Sequence, residues 1–495
     1  MTTPPPLILR DVRLHGVAGP RDVLVSDGRV ARIAPAGALD PGRDPELWLD
    51  GRYLVPGLWD AHVHFTQWVV RRERIDLAPA GSATAAVALM RAALPASDAD
   101  VVVGYGFRDA LWTDPPTLAA LDELAPDRAV VLVSGDLHSG WFNSAAGRRL
   151  GIDLPPDGML RETEWMGTLE ALDRGAQPGV AAYRAAADAA ARRGVVGVVE
   201  FENADNASLW PARVAEGVTA LRVEASIWPE RLDAAIERGL RTGDRLDEGG
   251  LVTFGRLKVV VDGSLNTRTA YCRDPYPGLD PADPGSYGVL SVDPARLTDL
   301  LRTAHDHGIA PAVHAIGDRA TTQVLDTFEN LGISGVIEHA QLVAAGDFER
   351  FGRLGIVASV QPEHAMDDRD VADRHWPGRT GRAFAFRSLL DAGATLQLGS
   401  DAPVAPLDPW QALAAAVSRA RDGREAWHPE QALPVSAAFA ASTRGRLTVS
   451  AGDVADLVVL DVDPLTASPD ELRRMPVAAT MLGGRWTWYD LPGEA

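Results

Sequence analysis

The sequence predicts an α/β protein: a (β/α)8 barrel of the TIM type, a small β-sandwich built from both chain ends, and an α+β insertion. Three observations predict it. Eight apolar strands can be counted along the middle of the chain, and from residue 181 onward they alternate with helices, as a parallel α/β architecture requires. Both ends carry short strands broken by turns, too few at either end for a stable sheet alone. At 495 residues the chain is also too long for one ordinary core.

Residues 7–57 read as LILRDVRLHG, RDVLVSDGRVARIAP and LWLDGRYLVPG, with hairpin signals at Asp27-Gly28 and Asp50-Gly51. ADLVVLDVD and VAATMLGGRWTWYD form the matching strands near the other end. Residues 1–57 and 445–495 are therefore assigned to one β-sandwich, 58–70 with 181–444 to the barrel, and 71–180 to the insertion. The first barrel strand is LWDAHVHF, residues 58–65. The insertion follows, with the strand VVVGYGF, the helix-like TLAALDELAP, then AVVLVSGDLHSGWFNSAAGRRLGI and a Gly/Pro-rich connector. Helix 181–193 leads to strand 195–202, strand 220–228 follows, and helix 230–243 leads to LKVVVDG, residues 257–263. Helix 294–307 precedes strand 309–317, and helix 319–331 precedes strand 335–341. Strand 355–364, helix 383–392 and strand 395–404 complete the eight. In such barrels active sites lie at the C-terminal ends of the strands.

The totals exclude several classes. A net charge of −20 argues against nucleic acid or an anionic membrane as a partner. One cysteine, Cys272, allows no internal disulfide and suits a reducing compartment. The start MTTPPPLILRDV lacks the charged and apolar regions of a signal peptide, and no apolar run reaches transmembrane length. The expectation is a cytoplasmic protein with a small-molecule substrate; self-association into a homo-oligomer stays open.

Lys258 is the only lysine in the chain, so 47 of the 48 basic Lys and Arg residues are arginine. Arginine supplies charge but not a primary amine that can lose its proton and act as a nucleophile. Inside the apolar strand LKVVVDG the charged form is disfavoured. A neutral buried amine there can form a Schiff base, act as a base, or take up carbon dioxide as a carbamate. A chance survivor or a buried ion pair is the structural alternative.

His62 and His64 lie two apart on a strand, which points both to one face, where two imidazoles can chelate one ion. Alone the pair is a weak signal. His314, His339 and Asp401 fall on strands five, six and eight, and Lys258 on strand four. Any one could be a satisfied core residue; six at one barrel mouth suffice for one or two ions of the zinc type. His305 and His307 share the two-residue spacing but fall on a predicted helix, about 200° apart around its axis, and cannot share a metal. His138, just past an apolar strand, is either a loop binding residue or a structural histidine.

These residues sit in a series of motifs. PGLWDAHVHF resembles the PG-x-x-D-x-HxH opening of the YtcJ-like metal-dependent hydrolases (amidohydrolase family 3) in the amidohydrolase superfamily, to which the N-substituted formamide deformylases belong. GDLHSGWFNSAA, LKVVVDGSLNTRTA, VHAIGDRA, IEHAQ, SVQPEH and LGSDAPV resemble that family's signatures in order, and ADLVVLD and LGGRW its closing strands. Trp59, and TVSAGDVADLVVLD, depart from the usual pattern without touching a ligand position. The resemblance spans nearly the whole chain. It implies metal ligation by His62, His64, His314, His339 and Asp401, with Lys258, N6-carboxylated, as a candidate bridge.

The implied function is hydrolysis of a C–N bond, an amide or N-substituted formamide, by metal-activated hydroxide with Asp401 as general base. His138 is expected to help hold the developing oxyanion. Asp262 is expected either to bind substrate or to stabilise the turn at Asp262-Gly263, and Asp318 to cap a helix. Trp112 and Trp141, with Trp68, Trp165 and Trp376, are expected either to line an apolar pocket or to pack the insertion on the barrel. EHAMDDRDVADRHW after strand seven reads as a charged segment covering the site, or as a solvated loop. Deamination of a cyclic amidine or heterocycle, or lactone hydrolysis, would use the same site. A non-catalytic interaction protein of this fold should have lost ligands, and none is missing.

Overall fold

The structure, a computed structural model, describes residues 4–72, 74–97, 99–175 and 178–491; the tips of the chain and part of the Gly/Pro-rich connector fall outside these. Runs such as Val195–Glu200, buried at every position, cannot face water on either side, and a parallel sheet with helices outside is where such strands fit. Eight strands form that sheet: Leu58–Val63, Val195–Glu200, Arg222–Ile227, Val252–Val260, Pro311–Ala315, Val336–His339, Val357–Val360 and Thr395–Leu398. All seven neighbouring pairs are parallel and in chain order. The first and last strands approach at their C-terminal ends, where Val63 bridges Ala402 in parallel and Asp401 N–H donates to the His62 carbonyl at 2.8 Å. Gly399 permits this closure: a Cβ there would meet the His62 backbone nitrogen at 2.8 Å.

Several elements depart from the sequence expectation. The fourth strand begins at Val252, five residues before the expected 257. The helix expected over 230–243 is only Leu232–Glu237, because Gly239 adopts a left-handed φ of 68° soon after. An unexpected helix, Asn206–Ala215, contains Pro211, which masks its signal in sequence. The charged stretch after strand seven is neither loop nor solvated: it is the helix Pro362–His375, with Glu363, His364, Met366 and Asp368 among its buried residues. Pro362 at its first turn is preorganised for a helical start. Its acids are matched by arginines, Glu363 to Arg421 and Arg473, and Asp367 to Arg108 and Arg421. Asp318 is not a cap; Gly317 holds that position, and Asp318 opens the helix Asp318–Leu331 while accepting the Arg273 N–H.

Two four-stranded sheets come from the chain ends. One is Arg29–Pro35, Arg21–Ser26, Leu7–Val12 and Glu46–Trp48; the other is Arg485–Tyr489, Val477–Leu482, Leu457–Leu460 and Tyr53–Pro56. Leu9, Val23, Leu54, Leu457 and Met481 belong to the core they share. Between the first and second barrel strands lies a five-stranded sheet ordered Met159–Arg161, Ser139–Phe142, Ala129–Ser134, Val101–Phe107, Ile75–Asp76. Among the described residues no helix is long and apolar enough to cross a membrane.

Candidate active site

A cavity of about 650 Å³ opens at the C-terminal ends of the barrel strands, lined by His62, His64, Lys258, His314, His339, His364 and Asp401. It lies within the size range of small-molecule pockets. Alternation on the first strand sends Asp60 and His62 to the same side, and His64 follows from just past the strand end. The Asp60 carboxylate accepts the N–H of His62 at 3.1 Å and of Ser400 at 2.9 Å, tying strand one to strand eight beneath the site. His62 Nδ1 lies 2.6 Å from Glu338 Oε2, an arrangement that leaves Nε2 for the cavity.

Strand six contributes two consecutive residues to the site, which regular alternation would forbid. Glu338 points inward to His62, and His339 then takes a left-handed φ of 73°, turning its ring into the mouth. Asp401 is left-handed as well, at 56°. Non-glycine residues in this region cost energy and persist where surrounding structure over-determines them.

Asp401 is the hub. Its Oδ1 lies 3.4 Å from both His62 Nε2 and His64 Nε2, and its Oδ2 lies 3.8 Å from His364 Nε2. Two sets, His62–His64–Asp401 and His339–His364–Asp401, each place three ligand atoms within 4.8 Å of one another. His314 stands beside His339, with ring centroids 4.4 Å apart, and Lys258 Nζ lies 3.2 Å from His62 Nε2.

Electrostatics leave most of these groups as ligands rather than cations. Burial, with Lys258 and neighbouring rings, holds His62 well below the ordinary histidine range; burial and then His314 do the same to His339. Burial and Lys258 push His314 down to about 3. Burial pushes the Lys258 amine down to about 8, against the opposing pull of Glu338 and Asp401. Burial alone would raise Asp401, but the hydrogen bond and charge of His64 carry it below its ordinary value, so it is ionised at neutral pH.

The donor set fits a bound cation. His64 Nδ1, His314 Nε2, His339 Nδ1 and His364 Nε2 are all buried without a hydrogen-bond partner. Each such group costs about 1–3 kcal/mol when left unsatisfied, and imidazole nitrogens beside a carboxylate are the ligands zinc-type ions take.

Other residues fall elsewhere than expected. Trp141 is fully buried in the insertion's own core, its Nε1–H donating to the Thr117 carbonyl, and Trp112 packs against the same core beside Phe107. Neither lines the cavity; Trp228, from the third strand's end, does. Trp68, Trp165 and Trp376 are core residues too. Asp262 is fully buried and accepts the N–H groups of Ile316, Gly317 and Tyr271 at 2.8–3.0 Å, binding the ends of strands four and five together rather than facing the cavity. His138 does line the cavity, from the insertion. His305 and His307 are exposed near the end of helix Pro294–Asp306 and belong to neither metal set. Sequence reading missed His364 and Glu338. The proline of SVQPEH, opening a helix at a strand end, is the signal that could have found His364.

Comparison with known proteins extends the picture. A family model described as amidohydrolase family matches residues 49–487. The chain is 30% identical to the protein LONG AFTER FAR-RED 3 of Arabidopsis thaliana, over 89% of this chain and 83% of that one. It is 27% identical to the N-substituted formamide deformylase of Arthrobacter pascens, over 93% and 94%. Its fold is shared with an uncharacterized metal-dependent hydrolase from Pyrococcus horikoshii OT3, with a TM-score of 0.78 at 24% identity, covering 94% of this chain and 99% of that one.

Proposed function

The chain belongs to the amidohydrolase family, and on that premise we propose that it hydrolyses a C–N bond of a small molecule, an amide or an N-substituted formamide. The observation that carries this is a cavity in which His62, His64 and His364 surround the ionised Asp401, and in which buried nitrogens of His64, His314, His339 and His364 lack a hydrogen-bond partner. A divalent ion, zinc by the nitrogen-rich donor set, would be held by His62, His64, His339, His364 and Asp401 with His314 beside them, and would supply Lewis acidity and acidify water. The chain's own residues do the rest. Glu338 orients His62, and Asp401 takes the proton of the attacking water. As the C–N bond breaks, Asp401 delivers that proton to the departing amine, giving the carboxylic acid and the free amine. Leu265 and Ile316, with Trp228, offer an apolar wall to the substrate.

Lys258 is the candidate for carboxylation. As a carbamate it would offer two oxygens and bridge two ions; as an amine it would stand beside one. The A. pascens relative favours the formamide class over the rival reactions. The test is to offer zinc-loaded protein a panel of N-formyl and N-acyl amines, cyclic amidines and lactones. Turnover of the first two groups, abolished by chelator and restored by zinc, is expected. Turnover confined to amidines or lactones would move the reaction class, and none at all would leave an interaction protein.

A further inference from the structure

Resting on the hydrolase reading, we infer that the insertion completes the active site: Glu162 positions the His138 ring so that Nε2–H donates a hydrogen bond to the substrate's carbonyl oxygen. The geometry is a circuit of close polar contacts joining the insertion to the loop after strand four. His138 Nδ1 lies 3.0 Å from Glu162 Oε2. Glu162 Oε1 accepts from Thr269 Oγ1 at 2.9 Å, which meets Thr267 Oγ1 at 2.7 Å, which meets Ser264 Oγ at 2.8 Å. Ser264 Oγ lies 3.4 Å from Asp136 Oδ2, and Asp136 Oδ1 accepts the backbone N–H of His138 at 3.1 Å.

Two details argue that this circuit serves more than packing. Leu137, preceding the histidine, and Glu162 are both left-handed, at φ 67° and 49°, so strain is held on both sides of the pair. His138 itself lines the cavity instead of the insertion's core. With Nδ1 engaged by Glu162, Nε2 is the ring nitrogen left to meet a ligand.

The charged groups around the ring set its state. Glu162 and Asp136 face it from the insertion, and Asp262, His314 and Asp401 lie on the barrel side. Burial alone would lower the imidazole; the Glu162 hydrogen bond and charge, then Asp136 and Asp401, raise it to about 9. The donor is therefore present at neutral pH and is lost as pH rises through that value. A fixed donor aimed where oxygen becomes negative is worth about 10²–10³-fold in kcat.

The experiment pairs the pH profile of kcat/KM for the zinc-loaded enzyme with a nitrogen-15 NMR titration of its histidines, the His138 signal identified by its loss in His138→Gln. Expected are four results. His138→Gln loses about 10²–10³-fold in kcat with zinc content unchanged. Glu162→Gln lowers the His138 midpoint by about 1–3 pH units and moves the alkaline limb of the profile with it. Glu162→Asp, which keeps the charge, restores most of both. Glu164→Gln, exposed on the helix Glu162–Gly175 that Glu162 opens, leaves both in place. Turnover by His138→Gln within a few-fold of wild type, or an alkaline limb that stays put while the NMR midpoint falls, overturns the inference alone. A substrate panel without turnover sinks the hydrolase reading and this inference together.

Discussion

His62–His64 and His305–His307 are the same motif, two histidines separated by one residue, with opposite fates. The first pair runs off a strand, and both rings reach the cavity, centroids 5.6 Å apart and each Nε2 3.4 Å from Asp401 Oδ1. The second pair closes a helix, exposed to water, with His307 Nδ1 near the Thr303 carbonyl at 2.8 Å as befits a helix C-terminus. Residue type and spacing are identical. The backbone period, 2 against 3.6, decides whether spacing means convergence, and burial decides whether the nitrogens need partners that only the fold can bring.

That contrast can be broken or sharpened by substitution. The largest effect is expected for His62→Ala: zinc, counted by plasma mass spectrometry, and turnover fall together to background. Retained turnover would remove the distinction between the pairs. Asp401→Asn keeps the size of the hub but removes its basicity, so kcat should fall about 10²–10⁴-fold while zinc largely stays.

Lys258→Arg tests whether the buried set holds two ions or one. If Lys258 bridges as a carbamate, the variant binds at most one ion, and bicarbonate speeds reconstitution of metal-free wild type but not of the variant. An unchanged ion count with no bicarbonate effect would leave the lysine an unmodified neighbour. Glu338→Gln loosens the anchor on His62 Nδ1 and should weaken zinc affinity about 10–100-fold, measured by competition with a chromophoric chelator. The smallest effect belongs to the helical pair: His305→Ala with His307→Ala should leave zinc content and kcat at wild-type values.

Much of this was legible because it is local. Buried parallel strands announce themselves as apolar runs, so all eight could be placed, although the fourth begins earlier than its pattern suggested. His62, His64, Lys258, His314, His339 and Asp401 each stand at or near a strand's C-terminal end, and the barrel topology carries all such ends to one mouth. The solitary lysine was visible by count alone.

The tertiary structure decided what depends on pairing across the barrel. Glu338 meets His62 across 276 positions of sequence, and strand register, invisible to local periodicity, sets that contact. His364 joined the cluster because a proline began a helix where a charged loop was expected, its acids finding arginines on distant segments. His339 reaches the mouth through a left-handed backbone that its residue type does not announce. Of thirteen tryptophans, composition could not say which face the cavity. An indole buries equally well in either core, so only the tertiary structure decides that Trp141 fills the insertion and Trp228 lines the site.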